Sequence, residues 1–204
     1  MSRKIVITIS REYGSGGKAV AKLLSQKLNI PYYDKELLLQ INEKSGIDQE
    51  LYNEIYEQVS KQEYYLSILP TKFAGPSSIL GELSIHEKIY KVQKDVIENI
   101  AKESSLILGR CSDFILKEHQ DVVRVFIRAD LEDKKKRAIE EYHEEAKGIE
   151  NTLVEMDKRR ANYYNYFSNQ IWGKLSNYDL VVNTSKVGIE HAADVIVAYV
   201  LARL

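Results

Sequence analysis

The chain has 204 residues, of which 44% are hydrophobic and 29% charged, a balance typical of one folded globular domain. Its formal net charge of -1 gives no overall attraction to nucleic acid or to an anionic membrane, and its single cysteine, Cys111, excludes an internal disulfide. No run approaches the roughly 20 apolar residues of a membrane span, and the N-terminus lacks a signal-peptide pattern. We therefore expect a soluble cytoplasmic protein that binds neither a nucleic-acid polymer nor a membrane.

The first predicted elements are a strand, a glycine-rich loop and a helix. Residues 4–10 are apolar and β-branched, which favours a buried parallel strand. Residues 17–28 carry apolar side chains at helical spacing, and a short second strand is expected within residues 29–34. The chain therefore opens with a strand, loop and helix unit.

The rest of the chain alternates helical segments with apolar runs. Residues 35 to about 102 have apolar side chains at intervals of three and four, which predicts mainly helix. Later apolar runs at 105–110, 122–128 and 178–184 predict three strands, and a last helix is expected from about 188 to 204. Strands joined by long helical connections predict a parallel α/β sheet with helices on both faces.

The loop Gly14-Ser15-Gly16-Gly17 joins the first strand to the first helix. Backbone N–H groups and the helix dipole at such a junction attract anions, and glycines let the backbone approach phosphate oxygens closely. The loop is therefore predicted to bind phosphate groups.

Two classes of phosphate ligand fit this loop. Gly14, Gly16 and Ala19 satisfy the dinucleotide pattern G-x-G-x-x-[GA], and Asp34 follows Gly14 by 20 residues, where a ribose-binding acid is expected. However, residues 10–13 lie between the strand and the first glycine, and this longer connection better suits a loop that wraps a β-phosphate.

The P-loop pattern G-x-x-x-x-G-K-[ST] fits with departures. It requires a glycine where Arg11 or Glu12 stands. It also requires Ser or Thr after the lysine, whereas Lys18 is followed by Ala19, which has no oxygen for Mg²⁺. The loop alone leaves both ligand classes open.

Four blocks, in order, resemble the cytidylate-kinase-like family of P-loop proteins: ITISREYGSGGKAVAKLLSQKLNIPYYDKELL, LILGRCSDFIL, VVRVFIRADLEDKKKRA and MDKRRANYYNYFSNQIWGKLSNYDLVVNTS. The resemblance implies a P-loop kinase three-layer sandwich with a five-stranded parallel sheet. Its core would comprise 1–34 and 103–204, with a helical acceptor-binding insertion at about 35–102 and a lid at about 138–172. The implied reaction transfers the γ-phosphoryl group of ATP to CMP or dCMP with Mg²⁺.

The resemblance also implies an ATP site. Gly17 falls where related enzymes keep the P-loop lysine, Lys18 is displaced by one position, and Ala19 replaces the threonine on the Mg²⁺ side. Arg137 would flank the adenine. The ATP-binding residues are thus expected to be Gly14, Ser15, Gly16, Gly17, Lys18, Ala19 and Arg137.

Phosphoryl transfer requires cations around the moving phosphate, and we expect Lys18, Arg110 and Arg160 to be catalytic. Arg110 ends the third predicted strand, where ligands of α/β sheets bind, and its guanidinium suits an acceptor phosphate. Asp157 and Arg160 resemble the D-x-x-R part of a lid helix, in which Leu153 stands where an earlier arginine is expected. Asp34 would orient the acceptor or a Mg²⁺-bound water, or would cap the following helix. The expected acceptor site is Asp34, Arg110, Asp157 and Arg160.

Two alternatives remain. Gly17, Ala19 and Leu153, at positions expected to be functional, suit a nucleotide-binding module without transfer chemistry. The pattern of Gly14, Gly16 and Ala19 suits a dinucleotide-dependent oxidoreductase. The four histidines are scattered without metal-ligand spacing, so we expect no protein metal centre.

Overall fold

The computed structural model describes residues 4–34, 37, 40, 41, 43, 44, 50 and 85–203. Within these residues, five strands form one parallel sheet, as the sequence predicts. The second strand is short, because Pro31 directly precedes it and cannot donate a backbone hydrogen bond. The strands are β1 Val6–Arg11, β2 Tyr32–Tyr33, β3 Ser105–Leu108, β4 Val122–Arg128 and β5 Leu180–Asn183.

The described helices follow the predicted alternation. They are α1 Gly17–Leu28, α2 Ile85–Ile100, α3 Ser112–Ile115, α4 Leu131–Glu140, α5 Ile149–Ser168 and α6 Thr184–Arg203, with a short 3₁₀ turn at Leu175–Asn177. Most of the insertion predicted at about 35–102 lies outside the described residues, and α2 is its described end. The backbone of α6 is non-helical at Gly188 (φ 77°, ψ 170°), so its regular part begins where the last helix is predicted.

The sheet separates two apolar layers, as the period of two along each strand requires. Ile7 and Ile9 of β1 pack with Leu24 of α1 and Ile196 of α6 on one face. Val6, next to Ile7 in the strand, packs on the opposite face in a cluster that includes Ile97 of α2. The three-layer α/β sandwich predicted from the sequence is confirmed.

The strand order is β2-β3-β1-β4-β5. The dinucleotide-binding fold has the order 3-2-1-4-5-6, so this sheet does not have that architecture. Since all pairs are parallel, the loops after the strands meet at one edge of the sheet. The backbone N–H of Gly109 donates to Ile9 (2.9 Å), and that of Glu12 donates to Ile127 (3.0 Å), which joins the ends of β1, β3 and β4 there.

Within the described part of the chain, none of the helices is both long enough and apolar enough to cross a lipid bilayer.

Candidate active site

A cleft opens at the carboxyl ends of β1 and β3, the edge at which α/β sheets bind ligands. Three arginines and one aspartate contribute its charge, and Tyr163, Tyr164 and Trp172 form an aromatic wall. The lining residues are Ser10, Arg11, Asp34, Leu108, Gly109, Arg110, Cys111, Arg160, Tyr163, Tyr164 and Trp172.

The glycine loop beside this cleft is held by its own hydrogen bonds. The buried Ser15 hydroxyl donates to the Glu12 carbonyl oxygen (2.7 Å), and the Thr184 hydroxyl donates to the Ser15 carbonyl oxygen (2.8 Å). Gly14 and Gly16 both have left-handed backbones, with φ of 75° and 74°. These hydrogen bonds fix the conformation of the loop, which places the N-terminus of α1, at Gly17, beside the cleft.

Arg137 contacts this loop from α4. Its guanidinium donates to the Gly14 carbonyl oxygen, and its Nε lies 3.6 Å from a Glu141 carboxylate oxygen. A Cβ built on Gly16 would lie 3.4 Å from the Arg137 Cζ, so the guanidinium also borders Gly16. The structure thus brings Arg137 to the predicted ATP loop, and its contact with ATP stays a prediction.

Lys18 and Asp34 form an ion pair at the start of α1, with 2.9 Å between the Lys18 Nζ and the Asp34 Oδ2. Burial would raise the pKa of Asp34, but the hydrogen bond and charge of Lys18, with the charge of Arg11, hold it below its ordinary value. Asp34 is therefore an ionised carboxylate at the cleft. The Lys18 side chain is about half exposed (48%), and Ala19 follows it in the first turn of α1.

Asp157, predicted to bind the acceptor, contacts the residue directly before the glycine loop, Tyr13, and is not among the residues that line the cleft. Its Oδ1 accepts the Tyr13 backbone N–H (2.6 Å), and its Oδ2 accepts from the Lys134 Nζ (3.2 Å). Burial raises its pKa despite these partners. Lys134 also donates to Glu12 (3.3 Å), so this network joins α5, α4 and the loop.

Arg160, predicted to be catalytic, lines the cleft and also contacts the chain between the end of β1 and the glycine loop. Its Nη1 donates to the Arg11 carbonyl oxygen (3.0 Å), and its guanidinium lies 5.3 Å from the centre of the Tyr13 ring. The Tyr13 hydroxyl donates to Glu144 (2.6 Å), and burial together with this bond raises the pKa of Tyr13 to about 12. Tyr13 therefore stays protonated, and its ring packs against the Arg160 guanidinium.

Arg110, the third predicted cation, stands in a strained turn. Gly109, Arg110 and Cys111 all have left-handed backbones, with φ of 75°, 59° and 55°. Each non-glycine residue in that region costs about 1–2 kcal/mol. The buried Gln93 holds the turn, because its Nε2 donates to the Arg110 carbonyl oxygen (2.9 Å) while its Oε1 accepts from the Tyr163 hydroxyl (3.0 Å).

We expect Arg110→Gly to be more stable than Arg110→Ala by roughly 1 kcal/mol, because only glycine relieves the backbone strain. Both variants lose the guanidinium, so the comparison isolates the effect of the backbone. Urea unfolding of the two variants measures it. Equal stabilities of the two variants would contradict the strain argument.

Asp34 is the carboxylate among the described residues that line the cleft. The described residues contain no group of three or more His, Cys, Asp or Glu side chains able to hold a metal ion. Mg²⁺ commonly keeps several waters and binds one or two carboxylates together with substrate phosphates. The ionised Asp34 carboxylate at the cleft fits that requirement, and Ala19 supplies no side-chain oxygen.

Sequence reasoning missed several residues of the site. The P-loop pattern requires a glycine at the position of Arg11, so the pattern gave no reason to expect Arg11 in the site. Gln93 had no local signal except a polar residue on the apolar stripe of a helix. Trp172 and the tyrosines at 163 and 164 reach the cleft from the end of α5 and beyond it, which no spacing in the sequence indicates.

The sequence and the structure were each compared with known proteins. Residues 6–186 match the model of the cytidylate kinase-like family. An uncharacterized protein from Eubacterium ventriosum has a similar crystal structure, with 30% identity, a TM-score of 0.71 and coverage of 97% of this chain and 98% of that chain. No curated protein matches the sequence.

Shikimate kinases share the fold at low identity. The enzyme from Acinetobacter baumannii in complex with shikimate and the enzyme from Bacteroides thetaiotaomicron are each 14% identical, with TM-scores of 0.53 and 0.52. The matches cover 98% of this chain in both cases, and 94% and 99% of the two kinases. The architecture is therefore that of the P-loop kinases.

Proposed function

We propose that this chain, which belongs to the cytidylate kinase-like family, transfers the γ-phosphoryl group of ATP to a nucleoside monophosphate in the cytoplasm. CMP and dCMP are the acceptors that the family suggests. One observation carries the proposal: a glycine loop at a helix N-terminus adjoins a cleft in which Arg11, Arg110 and Arg160 converge beside an aromatic wall. Such an arrangement suits two phosphate groups and one base.

The loop would bind the phosphates of ATP through the N–H groups at the start of α1. Arg110 and Arg160 would bind the acceptor phosphate from two sides of the cleft and neutralise charge as the phosphoryl group moves. Asp34 would hold a hydrated Mg²⁺ that enters with ATP. Mg²⁺, when bound, supplies positive charge to the phosphates.

The aromatic wall would bind the base of the acceptor. The partly exposed Trp172 offers flat apolar surface, and the buried Tyr163 and Tyr164 lie behind it in the lining of the cleft. The Tyr163 hydroxyl is oriented by Gln93. Residues 35–102 would complete the acceptor pocket. Residues 138–172 would act as a lid, whose helix α5 already contacts the loop through Asp157.

The test is ADP formation from Mg·ATP in the presence of CMP, dCMP, UMP, AMP, GMP or no acceptor. We expect turnover selective for CMP or dCMP, and a loss of about 100-fold or more in kcat/KM for Arg160→Ala. Lys158→Ala is the matched control, because Lys158 lies on the same helix, is exposed and does not line the cleft. It should retain wild-type activity.

Acceptor binding has an independent readout. The chain has one tryptophan, Trp172, and it lines the cleft, so its fluorescence should change when the acceptor binds. Background ADP formation with every acceptor, with ATP still bound, would contradict the transferase proposal. That outcome would favour a nucleotide-binding module, to which Gly17 and Ala19 at the family's lysine and threonine positions already point.

A further inference from the structure

The glycine at position 17 has a steric reason rather than a conformational one. Its φ lies outside the left-handed region in which glycine is favoured, so its backbone conformation does not explain its identity. A Cβ built on Gly17 would lie only 2.6 Å from the Arg11 Cβ and 2.9 Å from the Arg11 Cγ. The Arg11 side chain therefore crosses the first residue of α1, and a side chain at position 17 would occupy the same space.

The guanidinium of Arg11 reaches the neighbouring strand end. A Cβ built on Gly109 would lie 2.3 Å from the Arg11 Nη1, so this end of Arg11 rests against Gly109. Arg11, Asp34 and Arg110 line the same cleft, and the charge of Arg11 acts on the Asp34 carboxylate. The guanidinium thus lies between the phosphate loop and the place where the acceptor phosphate is expected.

Two departures from the P-loop pattern, at Arg11 and at Gly17, are in contact with each other. If Gly16 is taken as the second glycine of G-x-x-x-x-G-K, Arg11 stands at the first glycine and Gly17 stands at the lysine. Position 17 therefore carries no cation, and the Arg11 side chain occupies the space that a side chain at position 17 would fill. Lys18, the alternative cation, is about half exposed and paired with Asp34, and it does not line the cleft.

From this packing we infer that Arg11 is the cation that binds the β- and γ-phosphates of ATP in this loop, in place of a lysine at position 17. The inference rests on the proposed function and names one of its catalytic residues. A guanidinium can donate two parallel hydrogen bonds to phosphate oxygens, which an ammonium group does not. It remains positively charged throughout the reaction, so it neutralises the γ-phosphate without any proton transfer.

The first test compares single variants by titration with Mg·ATP and by ADP formation. Arg11→Ala should weaken ATP binding at least tenfold and lower kcat about 100-fold or more, with the acceptor KM changed by less than threefold. Lys22→Ala, an exposed lysine on α1, is the charge-matched control and should behave as wild type. Wild-type behaviour of Arg11→Ala, with loss of activity in Lys18→Ala, would overturn the inference.

The second test moves the cation. Gly17→Lys alone should be inactive because its side chain collides with Arg11. Arg11→Gly combined with Gly17→Lys restores the first glycine and the lysine of the P-loop pattern. It should recover at least tenfold in kcat/KM over Arg11→Gly combined with Gly17→Ala. The second pair removes the same collision without supplying a cation, so only a phosphate-binding role predicts the difference. Equal rates for the two folded double variants would overturn the inference.

The two proposals fail in distinguishable ways. Wild-type protein that binds ATP but forms no ADP with any acceptor would overturn the proposed transferase. A selective loss of ATP affinity in Arg11→Ala would still support the role of Arg11 in that case. Wild-type protein that does not bind ATP would overturn both.

Discussion

Gly14→Ala is expected to destabilise the protein by about 2–4 kcal/mol and to lower kcat/KM for Mg·ATP about 100-fold or more. Gly14 has a φ of 75°, a conformation that alanine adopts only with strain. Its added Cβ would also lie 2.7 Å from the Lys134 carbonyl oxygen and 3.0 Å from the Lys134 Cα. These are backbone atoms of α4 and cannot rotate aside, so the loop itself must move.

Gly148→Ala separates the effect of backbone strain on stability from the effect of the steric contact with α4. Gly148 precedes α5 with a similar φ of 81°, but a Cβ built there meets no atom within 4 Å. It should lose only the strain, about 1 kcal/mol. Urea unfolding of both variants gives the comparison, and ADP formation by Gly14→Ala gives the functional effect. Equal stability losses would mean that the contact with α4 does not constrain the loop.

The sequence predicts most of the fold because its information is local. Apolar runs and helical spacing locate the strands and helices, and β4 coincides with the predicted run at 122–128. The order of the strands in the sheet cannot be predicted from local patterns, because β1 pairs with β3 and β4, which lie far from it in the sequence. The apolar runs and the family resemblance both predict a parallel sheet of five strands, and the strand order comes only from the structure.

The candidate site is predictable in part for the same reason. A glycine loop and an arginine at the end of a parallel strand must lie at one edge of the sheet, so Arg110 could be expected near Gly14. The left-handed backbone of Arg110 could not be expected from the sequence, because the turn is held by a hydrogen bond from Gln93 on a distant helix. Asp157 likewise finds its partner, the Tyr13 N–H, across the tertiary structure.

Arg11 illustrates how a single departure from a pattern misleads. Taken alone, an arginine at a glycine position indicates a damaged P-loop, and a glycine at a lysine position indicates the same. The structure relates the two, because the Arg11 side chain lies over Gly17. Their relation depends on packing between the end of a strand and the start of a helix, which the spacing of the residues does not reveal.

The buried Asp113 should make the stability of this protein depend on pH. Asp113 is 2% exposed, and burial raises its pKa from 3.8 to about 6, although the Tyr164 hydroxyl, backbone N–H groups and the charge of Arg124 favour its ionised form. Between these two pH values the unfolded chain releases the proton while the folded chain retains it. The folded state is therefore progressively disfavoured from about pH 4 to about pH 6, by up to about 3 kcal/mol.

Asp113→Asn removes this titration. The variant should therefore gain stability relative to wild type by up to about 3 kcal/mol between pH 4 and pH 6, and the difference should stay level above pH 6. Urea unfolding at half-unit pH steps measures the difference, which cancels every titration that the two proteins share. Asp95→Asn on α2 is the control for the Asp to Asn substitution itself, because this aspartate is exposed in the folded protein. A constant difference for Asp113→Asn would show that its carboxyl group ionises in the folded protein as it does in the unfolded chain. In that case burial next to Cys111 and Ser10 would carry no electrostatic cost.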